Sequence, residues 1–550
     1  ASFIGCVFSY LGHFFLLQFD YFQKVYIGGR EIALASIICV LLLWAVRVLV
    51  KTVYDVSIDT FNARPAIIFG VDECGMGLAK LVRNDKSLRM RLFGFMSNGN
   101  EVRHKVLMGL HVYSYDDVER LIHQKKMECL LVSQSSVGVF RSDKTLQDLL
   151  IANGVHIFMP RTNEEWNPAS PDATLKEVSI EDLLPRDEIS IDLKSVADTL
   201  HGKCILVTGS AGSIGSEIVK QLCQFNPREL VLIDSAETPQ HDIRLMMAKR
   251  YPHIKAETIV TSITGQLRME NIFSRFRPDY VFHAAAYKHV PMMENNPTES
   301  VENNIYGTKV LADMAVKYGV KKFVMISTDK AVNPTNVMGC SKRICEMYVQ
   351  SLNNAVRSGK VEGCTQFVTT RFGNVLGSNG SVIPLFKQQI KAGGPVTVTD
   401  PNIIRYFMLI PEACELVLEA GVKGNGGEIF VFDMGKPVKI ADLAQRMINL
   451  SGAKNVEIKY TGLRAGEKLY EEVLNDKEST KPSFHEKIRI ANVREYDYSE
   501  VERDIEELIE VSKLYDDMLT VKKMKEIVPE FKSNNSVYEA LDAAVGTAKA

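Results

Sequence analysis

The stretch Lys203–Leu222 reads KCILVTGSAGSIGSEIVKQL and decides the fold of most of this chain. An apolar strand runs into a loop of spaced glycines, and a helix follows directly, so the loop can bend tightly while the helix N-terminus faces a pyrophosphate. A second apolar strand, ELVLID, ends at Asp234, where an acidic side chain in a dinucleotide fold binds the adenosine ribose hydroxyls. Because that carboxylate would repel a 2′-phosphate, we predict NAD as the cofactor and not NADP. The loop residues predicted to bind it are Gly209, Ser210, Gly212, Ser213, Ile214 and Gly215.

The bulk composition limits the kind of protein this can be. At 550 residues the chain exceeds what one hydrophobic core usually supports, so we expect two or three domains. A net charge of -2 provides no electrostatic footprint for nucleic acid, and we predict no nucleic-acid partner. The 10 cysteines are scattered without CxxC pairs, which argues against zinc and disulfides, and we predict no metal site. We interpret them as buried or idle thiols in a reducing compartment.

Two apolar runs lie at the N-terminus. Ser2–Phe19 is the first, and Ile32–Val50 is the second, whose only charge is Arg47 and whose length is close to the roughly 20 residues needed to span a bilayer. We predict that residues 1–52 form transmembrane helices, and because the chain starts without Met we expect them to be part of a larger membrane domain. The alternative is a pair of buried core helices. Arg47 and Lys51 favour a cytoplasmic exit, and Lys24 and Arg30 on the other side of the span oppose it.

From residue 62 to 162 the sequence alternates short apolar strands with helical stretches, which is the pattern of a parallel α/β sheet. The strand AIIFG is followed by a loop in which Asp72 stands where the second glycine of a dinucleotide fingerprint would be. Since this disfavours close approach of a pyrophosphate, we interpret the segment as a degenerate Rossmann-like module with a structural or regulatory role. Residues 163–199 are polar and proline-bearing and are predicted to be a linker, with a catalytic domain over 200–545.

Six further motifs carry a family resemblance. They are IEDLLPRD (Ile180–Asp187), HAAAYKHVPMMENNPTES (His283–Ser300), NIYGT (Asn304–Thr308), STDKAVNPTNVMGCSK (Ser327–Lys342), TTRFGNVLGSNGSVIPLF (Thr369–Phe386) and LRAGEKLYEE (Leu463–Glu472). With these motifs in this order, nearly the whole chain resembles the membrane-anchored nucleoside-diphosphate-sugar 4,6-dehydratases of bacterial polysaccharide and protein glycan synthesis. These form an extended short-chain dehydrogenase branch that acts on UDP-N-acetylglucosamine.

The resemblance implies a fold and an activity. The fold is α/β, with two tandem Rossmann-like domains after the transmembrane helices, the second an extended short-chain dehydrogenase fold with a smaller C-terminal substrate-binding part. The activity is NAD-dependent 4,6-dehydration of a UDP-amino sugar, from UDP-N-acetylglucosamine to the UDP-2-acetamido-2,6-dideoxy-4-hexulose. The resemblance also implies a homo-oligomer at the bacterial inner membrane, with its catalytic domain in the cytoplasm.

The motif STDKAVNPTNVMGCSK is the predicted catalytic segment. A short-chain dehydrogenase normally carries Tyr four residues before the last Lys, but here that position is Met338, which has no proton to exchange. The resemblance implies instead that Asp329 is the acid at the C6 oxygen and Lys330 the base at C5. Thr328 would lie nearest O4, either orienting it or relaying its proton. Lys342 would bind the nicotinamide ribose, and Met338 would pack near the nicotinamide.

These roles require particular protonation states. Asp329 must hold a proton, and we expect nearby cations to lower the pKa of Lys330 so that it can lose one. The alternative interpretation of STDK is a turn at the end of a strand, in which Ser and Asp cap the next segment.

The resemblance assigns further residues to the two ligands. Ser262 stands where an adenine-binding Asp is usual, and its hydroxyl can still hydrogen-bond the adenine edge. Guanidinium groups match phosphate oxygens, although each candidate arginine could equally form a surface ion pair. The additional residues predicted to bind the cofactor are Ser262, Ile263, Ala284, Ala285 and Lys342. Those predicted to bind the substrate are Lys288, Arg371, Asn374, Ser381, Arg405 and Arg464.

Two other functions stay open from the sequence. One is an epimerase or reductase with the same fold, which the missing Tyr and the adjacent Asp329 and Lys330 disfavour. The other is a membrane scaffold that senses NAD without turnover. Bound nicotinamide and loss of water from UDP-N-acetylglucosamine distinguish a dehydratase from both.

Overall fold

The computed structural model describes residues 29–542 with the exceptions of 62, 86–87, 98–104, 161–174, 184–188, 190, 454 and 473–478. The chain divides into two compact units, Ala1–Val178 and Ser179–Ala550. The predicted span Ser2–Phe19 and residues 163–174 of the predicted linker lie outside the described residues.

A long helix, α1 (Gly29–Phe61), includes the second predicted span. Within it Ala33–Lys51 is long and apolar enough to cross a membrane, judged by length and composition. Apolar side chains along it, among them Leu41 and Trp44, are exposed and not enclosed in a core.

The first unit is a mainly parallel sheet with helices between its strands. Its strands are β1 (Arg64–Phe69), β2 (Met90–Ser97), β3 (Val106–Leu107), β4 (Leu110–Ser114), β5 (Cys129–Val132), β6 (His156–Pro160) and β7 (Leu175–Glu177). Its helices are α2 (Glu73–Asn84), α3 (Val118–Gln124), α4 (Val137–Ser142) and α5 (Lys144–Ala152). The strand order is β3-β4-β2-β1-β5-β6-β7, antiparallel only at the edge pairs β3-β4 and β6-β7. Residues Ala66 to Phe69 of β1 are buried, as expected for a parallel strand covered on both faces.

The second unit is built from a larger set of elements. Its strands are β8 (Cys204–Thr208), β9 (Glu229–Asp234), β10 (Ala256–Val260), β11 (Tyr280–His283), β12 (Lys322–Thr328), β13 (Gln366–Phe372), β14 (Asn374–Val375), β15 (Val396–Val398), β16 (Ile404–Arg405), β17 (Phe407–Met408), β18 (Ile429–Phe432), β19 (Val438–Lys439), β20 (Ile458–Tyr460), β21 (Ser479–Pro482) and β22 (Ile488–Asn492). Its helices are α6 (Ile180–Leu183), α7 (Leu193–Leu200), α8 (Ser213–Cys223), α9 (Glu237–Arg250), α10 (Gln266–Phe276), α11 (Val290–Glu294), α12 (Pro297–Ser300), α13 (Gly307–Lys317), α14 (Val337–Arg357), α15 (Val382–Lys391), α16 (Ile410–Lys423), α17 (Ile440–Leu450), α18 (Tyr498–Ser512) and α19 (Asp517–Ile527).

The main sheet of the second unit has the order β10-β9-β8-β11-β12-β13-β18-β22-β21. It is parallel from β10 to β18, and β22 and β21 continue it as an antiparallel edge. The chain order reverses between β8 and β11, and in an open α/β sheet the crevice outside the carboxyl ends of the strands at such a point is where ligands bind. The fold is therefore a doubly wound, Rossmann-like α/β fold, as predicted from the glycine loop.

Helices cover both faces of this sheet. Ile344 and Leu352 of α14 lie in the apolar core on one face, where α18 also packs on α14. Val196 and Leu200 of α7 lie in the core on the other face, so this part of the predicted linker belongs to the second unit.

A smaller layer, formed by α15, α17 and the short strand pairs β14-β17, β15-β20 and β16-β19, has its own apolar cluster around Phe386 and Leu443. It supplies the C-terminal wall of the crevice.

Candidate functional site

A cavity of about 900 Å³ opens at the carboxyl ends of the central strands of the second unit. Its floor comes from the loop after β8, the ends of β11 and β12, and the first turns of α14. The smaller layer closes it with the segments around Asn374, Arg405 and Arg464. Most of the predicted site residues are brought together here from distant parts of the chain.

The glycine loop packs closely against neighbouring segments of the protein backbone. Gly209 has φ +66°, and a Cβ there would lie 2.7 Å from the backbone nitrogen of Ala285. A Cβ on Gly215 would lie 2.0 Å from the carbonyl oxygen of Gly209, so only glycine allows the helix to start so close to the strand. Gly212 is the N-cap of α8, and Ser213 and Ile214 line the cavity beside it. The helix N-terminus therefore presents backbone N–H groups at the crevice, where an anion is stabilised.

Asp234 ends β9 next to this loop. Its carboxylate accepts the backbone N–H of Ala211 at 3.0 Å and that of Ala236 at 2.9 Å. The acidic group is thus held at the edge of the glycine loop, which is the position predicted for a ribose-binding carboxylate.

Some predicted cofactor residues lie outside the cavity lining. The Ser210 hydroxyl donates to Oε1 of Gln240 at 2.9 Å and is fully buried, so that side chain is turned into the protein. Ile263 is buried against Gly307, where a Cβ would lie 2.5 Å from its Cδ1. The Ser262 hydroxyl is engaged with Thr264. The predicted cofactor residues not among those lining the cavity are Ser210, Asp234, Ser262, Ile263 and Ala285, whereas Ala284 lines it.

In the STDK segment a hydroxyl group and an ammonium group donate to the same carboxylate oxygen, Oδ1 of Asp329. Thr328 ends β12, and its hydroxyl donates to Oδ1 of Asp329 at 2.8 Å. The ammonium of Lys330 donates to the same Oδ1 at 3.0 Å and lies 3.4 Å from Oδ1 of Asn374. A helical turn does follow at Asp329–Ala331, and the Thr328 hydroxyl also accepts from the Lys330 backbone N–H, so the predicted turn and the cluster of reactive groups coexist.

Asp329 is only 2% exposed, and Thr328 and Lys330 line the cavity in front of it. Its second oxygen, Oδ2, lies beside Gly373, where a Cβ would come within 2.9 Å. Asp329 itself is not among the residues that line the cavity, but Gly373, which lies next to Oδ2, lines it and has no side chain.

The expectation that cations lower the pKa of Lys330 is wrong for this structure. Burial lowers the pKa of Lys330, but the carboxylates of Asp329 and Glu471 outweigh burial and Arg405, and the net result is a raised pKa. The Glu471 carboxylate is 3.5 Å from the Lys330 ammonium. Lys330 is therefore protonated in the resting protein, and any role as a base requires that it first give up a proton.

Met338 and Lys342 come from the first turns of α14. Both are almost fully buried and both line the cavity, so the helix face that would carry a Tyr carries a thioether. Burial lowers the pKa of Lys342, and Glu346 opposes this without reversing it. Asn336 caps the helix by accepting the Gly339 N–H at 2.7 Å, which fixes the start of α14 at the cavity.

The predicted substrate residues fall into two groups. Lys288, Asn374, Ser381, Arg405 and Arg464 line the cavity, and burial lowers the pKa of Lys288. Arg371 does not line it, which corrects the prediction of a phosphate contact there. Its fully buried guanidinium donates to both oxygens of Glu346, at 2.8 and 2.6 Å, because its side chain lies on the α14 side of β13.

Arg405 reaches the cavity but its donors are already engaged. Its guanidinium donates to the carbonyl oxygens of Lys468 at 2.7 Å and Leu469 at 3.1 Å. It also lies 3.5 Å from the carboxylates of Glu467 and Glu471. Arg464 is exposed at the cavity rim and is the better placed of the two for a diphosphate.

Sequence reasoning missed Glu471. Its side chain lines the cavity and is only 5% exposed. It lies in the motif LRAGEKLYEE, in which the sequence predicts only Arg464 as a site residue. The signal was the pair of adjacent glutamates in that motif, but nothing in the sequence says which of them turns inward.

In the first unit, the loop after β1 takes the place of the glycine loop, and the Asp72 side chain of that loop occupies the start of the following helix. Oδ1 of Asp72 accepts the Gly75 N–H at 2.9 Å at the start of α2, and Ser135 donates to the other carboxylate oxygen. The carboxylate thus takes up the helix N-terminus that would otherwise receive an anion.

Comparison with known proteins places this site among related sequences. Residues 205–493 match the family described as Polysaccharide biosynthesis protein. The chain is 41% identical over 457 residues to the capsular polysaccharide biosynthesis protein CapD of Staphylococcus aureus, covering 82% of this chain and 75% of that protein. It is 34% identical over 285 residues to a UDP-glucose 4-epimerase of Rickettsia canadensis, covering 51% of this chain and 80% of the relative. It is 33% identical over 281 residues to an inverting UDP-N-acetylglucosamine 4,6-dehydratase of Campylobacter jejuni, covering 51% of this chain and 79% of the relative.

Proposed function

Since the chain belongs to the polysaccharide biosynthesis protein family, we propose that it is an NAD-dependent 4,6-dehydratase of a UDP-amino sugar. The substrate is UDP-N-acetylglucosamine, and the product is the UDP-2-acetamido-2,6-dideoxy-4-hexulose used for bacterial surface polysaccharide or protein glycans. Relatives named for dehydratase and for epimerase activity both act on UDP-sugars, so the choice between them rests on the residues of the site.

The observation that carries the proposal is the shared acceptor Oδ1 of Asp329. It takes hydrogen bonds from the Thr328 hydroxyl and the Lys330 ammonium, and both donor residues line the cavity in which Met338 stands in place of a proton-exchanging side chain. A 4,6-dehydration moves protons at O4, C5 and O6, and so needs several proton-exchanging groups at one place. An exchange of configuration at C4 alone needs no group at C5 or O6.

The hydrogen bond from Thr328 provides a path for the O4 proton. As O4 gives its proton to the Thr328 hydroxyl, that hydroxyl passes its own proton to Oδ1 of Asp329. Asp329 then holds the proton that the C6 oxygen takes up when the C6–O bond breaks and water leaves. Lys330 receives the C5 proton and returns it to C5 at the end of the cycle, so protons balance with the loss of one water.

The chain's residues fit NAD at the glycine loop. Gly209 and Gly215 leave no room for a side chain, so the helix N-terminus can face the pyrophosphate directly, while Asp234 takes the adenosine ribose and Lys342 the nicotinamide ribose. Bound NAD would supply the hydride acceptor for C4 and the hydride donor for C6, with no net change in its oxidation state.

The arrangement of the whole chain is part of the proposal. Residues 1–52 belong to a membrane domain in the bacterial inner membrane, supported by the apolar span Ala33–Lys51. Residues 62–162 form a degenerate Rossmann-like module without a catalytic role, supported by the closure of its loop by Asp72. The catalytic domain predicted over 200–545 follows the linker predicted at 163–199, takes in α7 from the end of that linker, faces the cytoplasm and acts as a homo-oligomer.

The proposal is tested by incubating the full-length protein with UDP-N-acetylglucosamine and measuring the sugar nucleotide by mass spectrometry. We expect loss of one water and a nicotinamide cofactor that copurifies with the protein. A purified protein without nicotinamide, or one that leaves the sugar unchanged, contradicts the proposal and favours a non-catalytic scaffold.

The second candidate function is 4-epimerisation, favoured by the 34% identity to the Rickettsia enzyme. Epimerisation leaves the mass of the sugar nucleotide unchanged, so the same measurement separates the two. The Lys330→Met variant adds a second distinction, because an epimerase has no C5 proton to remove and would keep its activity.

A further inference from the structure

The loop that carries Glu471 is fixed directly to the catalytic segment. The carbonyl oxygen of Gly466 accepts from Thr335 at 2.9 Å and from the Asn336 side chain at 3.0 Å. From the same loop, the Lys468 ammonium donates to the carbonyl oxygen of Val332 at 3.2 Å. Only four residues lie between Gly466 and Glu471, so these hydrogen bonds hold the buried carboxylate close to Lys330.

Glu471 lies between two cations. One of its oxygens forms an ion pair with the Lys330 ammonium at 3.5 Å and a second ion pair with Nε of Arg405, also at 3.5 Å. With its other donors on main-chain carbonyls, Arg405 holds the Glu471 carboxylate in place. A phosphate bound to Arg405 would compete with the Glu471 carboxylate for the same guanidinium group.

A count of protons shows why a second carboxylate is needed. In the proposed reaction the sugar gives up the O4 proton and the C5 proton before the C6 oxygen takes one back. The resting site offers Asp329 for the first, but Lys330 is already protonated and cannot take the second. Another acceptor must therefore be in contact with Lys330, and Glu471 is the carboxylate of the described residues that meets this condition besides Asp329.

The charged groups that face Lys330 directly are Asp329, Glu471 and Arg405. The other charged or histidine side chains that line the same cavity are Lys288, His289, Glu299, Lys342, Arg464 and Glu467. Glu467 is 3.5 Å from Arg405, and among the described residues the carboxylates within ion-pair distance of Lys330 are those of Asp329 and Glu471, so neither Glu467 nor Glu299 competes with Glu471 for the Lys330 proton.

We propose that Glu471, held by Arg405, is a positioning residue that takes the Lys330 proton while Lys330 takes the C5 proton. The N–H bond of Lys330 breaks as an O–H bond forms on Glu471, and the freed amine accepts the proton from C5. Both transfers reverse when the proton returns to C5. This role rests on the proposed dehydratase function and deepens it.

The test compares Glu471→Gln with the matched control Glu472→Gln in the full-length protein. Glu472 is the adjacent glutamate of the motif, about half exposed, and it accepts from Asn333 and Lys468 outside the cavity. We expect Glu471→Gln to lower kcat at least roughly tenfold with KM within about threefold, and to slow deuterium uptake at C5 from heavy water by a similar factor. The control keeps kcat within about twofold. Glu471→Asp, which restores a carboxylate, recovers part of the lost rate.

The loss of kcat without a matching change in KM, and its partial recovery in Glu471→Asp, separate proton acceptance from a structural role. A kcat within twofold of wild type, no recovery in Glu471→Asp, or an equal loss in Glu472→Gln overturns the role of Glu471 while leaving the dehydratase intact. A wild type that removes no water from UDP-N-acetylglucosamine overturns the proposed function and this role together.

Discussion

Replacing Lys330 by Met and Asp329 by Asn tests the centre of the mechanism. Both substitutions keep the approximate size of the side chain and remove a group that exchanges a proton. Each group is in direct contact with the other at 3.0 Å, and general acid or base catalysis by a positioned group contributes at least about 100-fold in rate. We therefore expect kcat to fall at least about 100-fold in each variant, roughly 2.7 kcal/mol of barrier. Bound NAD is retained, because neither side chain lies at the glycine loop.

The two variants differ in one measurable step. Lys330→Met lacks the group that accepts the C5 proton, so recovered sugar incubated in deuterated buffer carries no label at C5. Asp329→Asn fails mainly at the departure of the C6 oxygen, and it still exchanges C5 slowly once C4 is oxidised. Proton NMR of the recovered sugar nucleotide at C5, with mass spectrometry for the label, measures both outcomes.

Lys309→Met is the matched control for loss of a lysine. Lys309 is about as buried as Lys330, but it pairs with Asp313 on α13 outside the cavity. We expect its rate to stay within about threefold of wild type. Rapid C5 exchange in Lys330→Met would remove Lys330 as the base and refute the reasoning, as would a rate loss in Lys309→Met equal to that in Lys330→Met.

Three further substitutions test the cavity and the buried ion pair between Arg371 and Glu346. Met338→Tyr brings no gain in dehydratase turnover, since the proton path runs through the end of β12; a tenfold gain, about 1.4 kcal/mol, would contradict this. Gly373→Ala lowers kcat more than it raises KM, because the added Cβ lies 2.9 Å from Oδ2 of Asp329, and steady-state kinetics measures the split. Arg371→Met destabilises the second unit by about 3–5 kcal/mol in chemical unfolding, because it leaves the buried Glu346 without its main partner. Burial raises the pKa of Glu346, but the arginines outweigh burial and the net pKa is lowered. The stabilisation by this ion pair is therefore present above pH 4.5, the ordinary pKa of Glu, and is lost as the pH falls below it. The unfolding free energies of wild type and Arg371→Met converge in acid.

Local patterns in the sequence were enough for the framework of the second unit. The strand, glycine loop and helix of Lys203–Leu222 predicted the dinucleotide half, and the structure has β8, a tight loop and α8 at these positions. The alternation of strand and helix predicted a parallel sheet, and the long motifs identified which segments meet at its carboxyl edge. These properties depend on short-range spacing and on apolar periodicity, which a sequence displays directly.

Tertiary structure decided which way each polar side chain of those motifs points. Arg371 and Arg405 look alike in sequence as phosphate ligands, but the first lies against Glu346 on the far side of β13 and the second is held by carbonyl oxygens and Glu471. The protonation of Lys330 also depends on Glu471, which is distant in sequence and adjacent in space. The pKa of a side chain depends on its burial and on the charges that lie near it in space. The sequence can therefore name the reactive residues, but only the folded chain determines their partners and their protonation states.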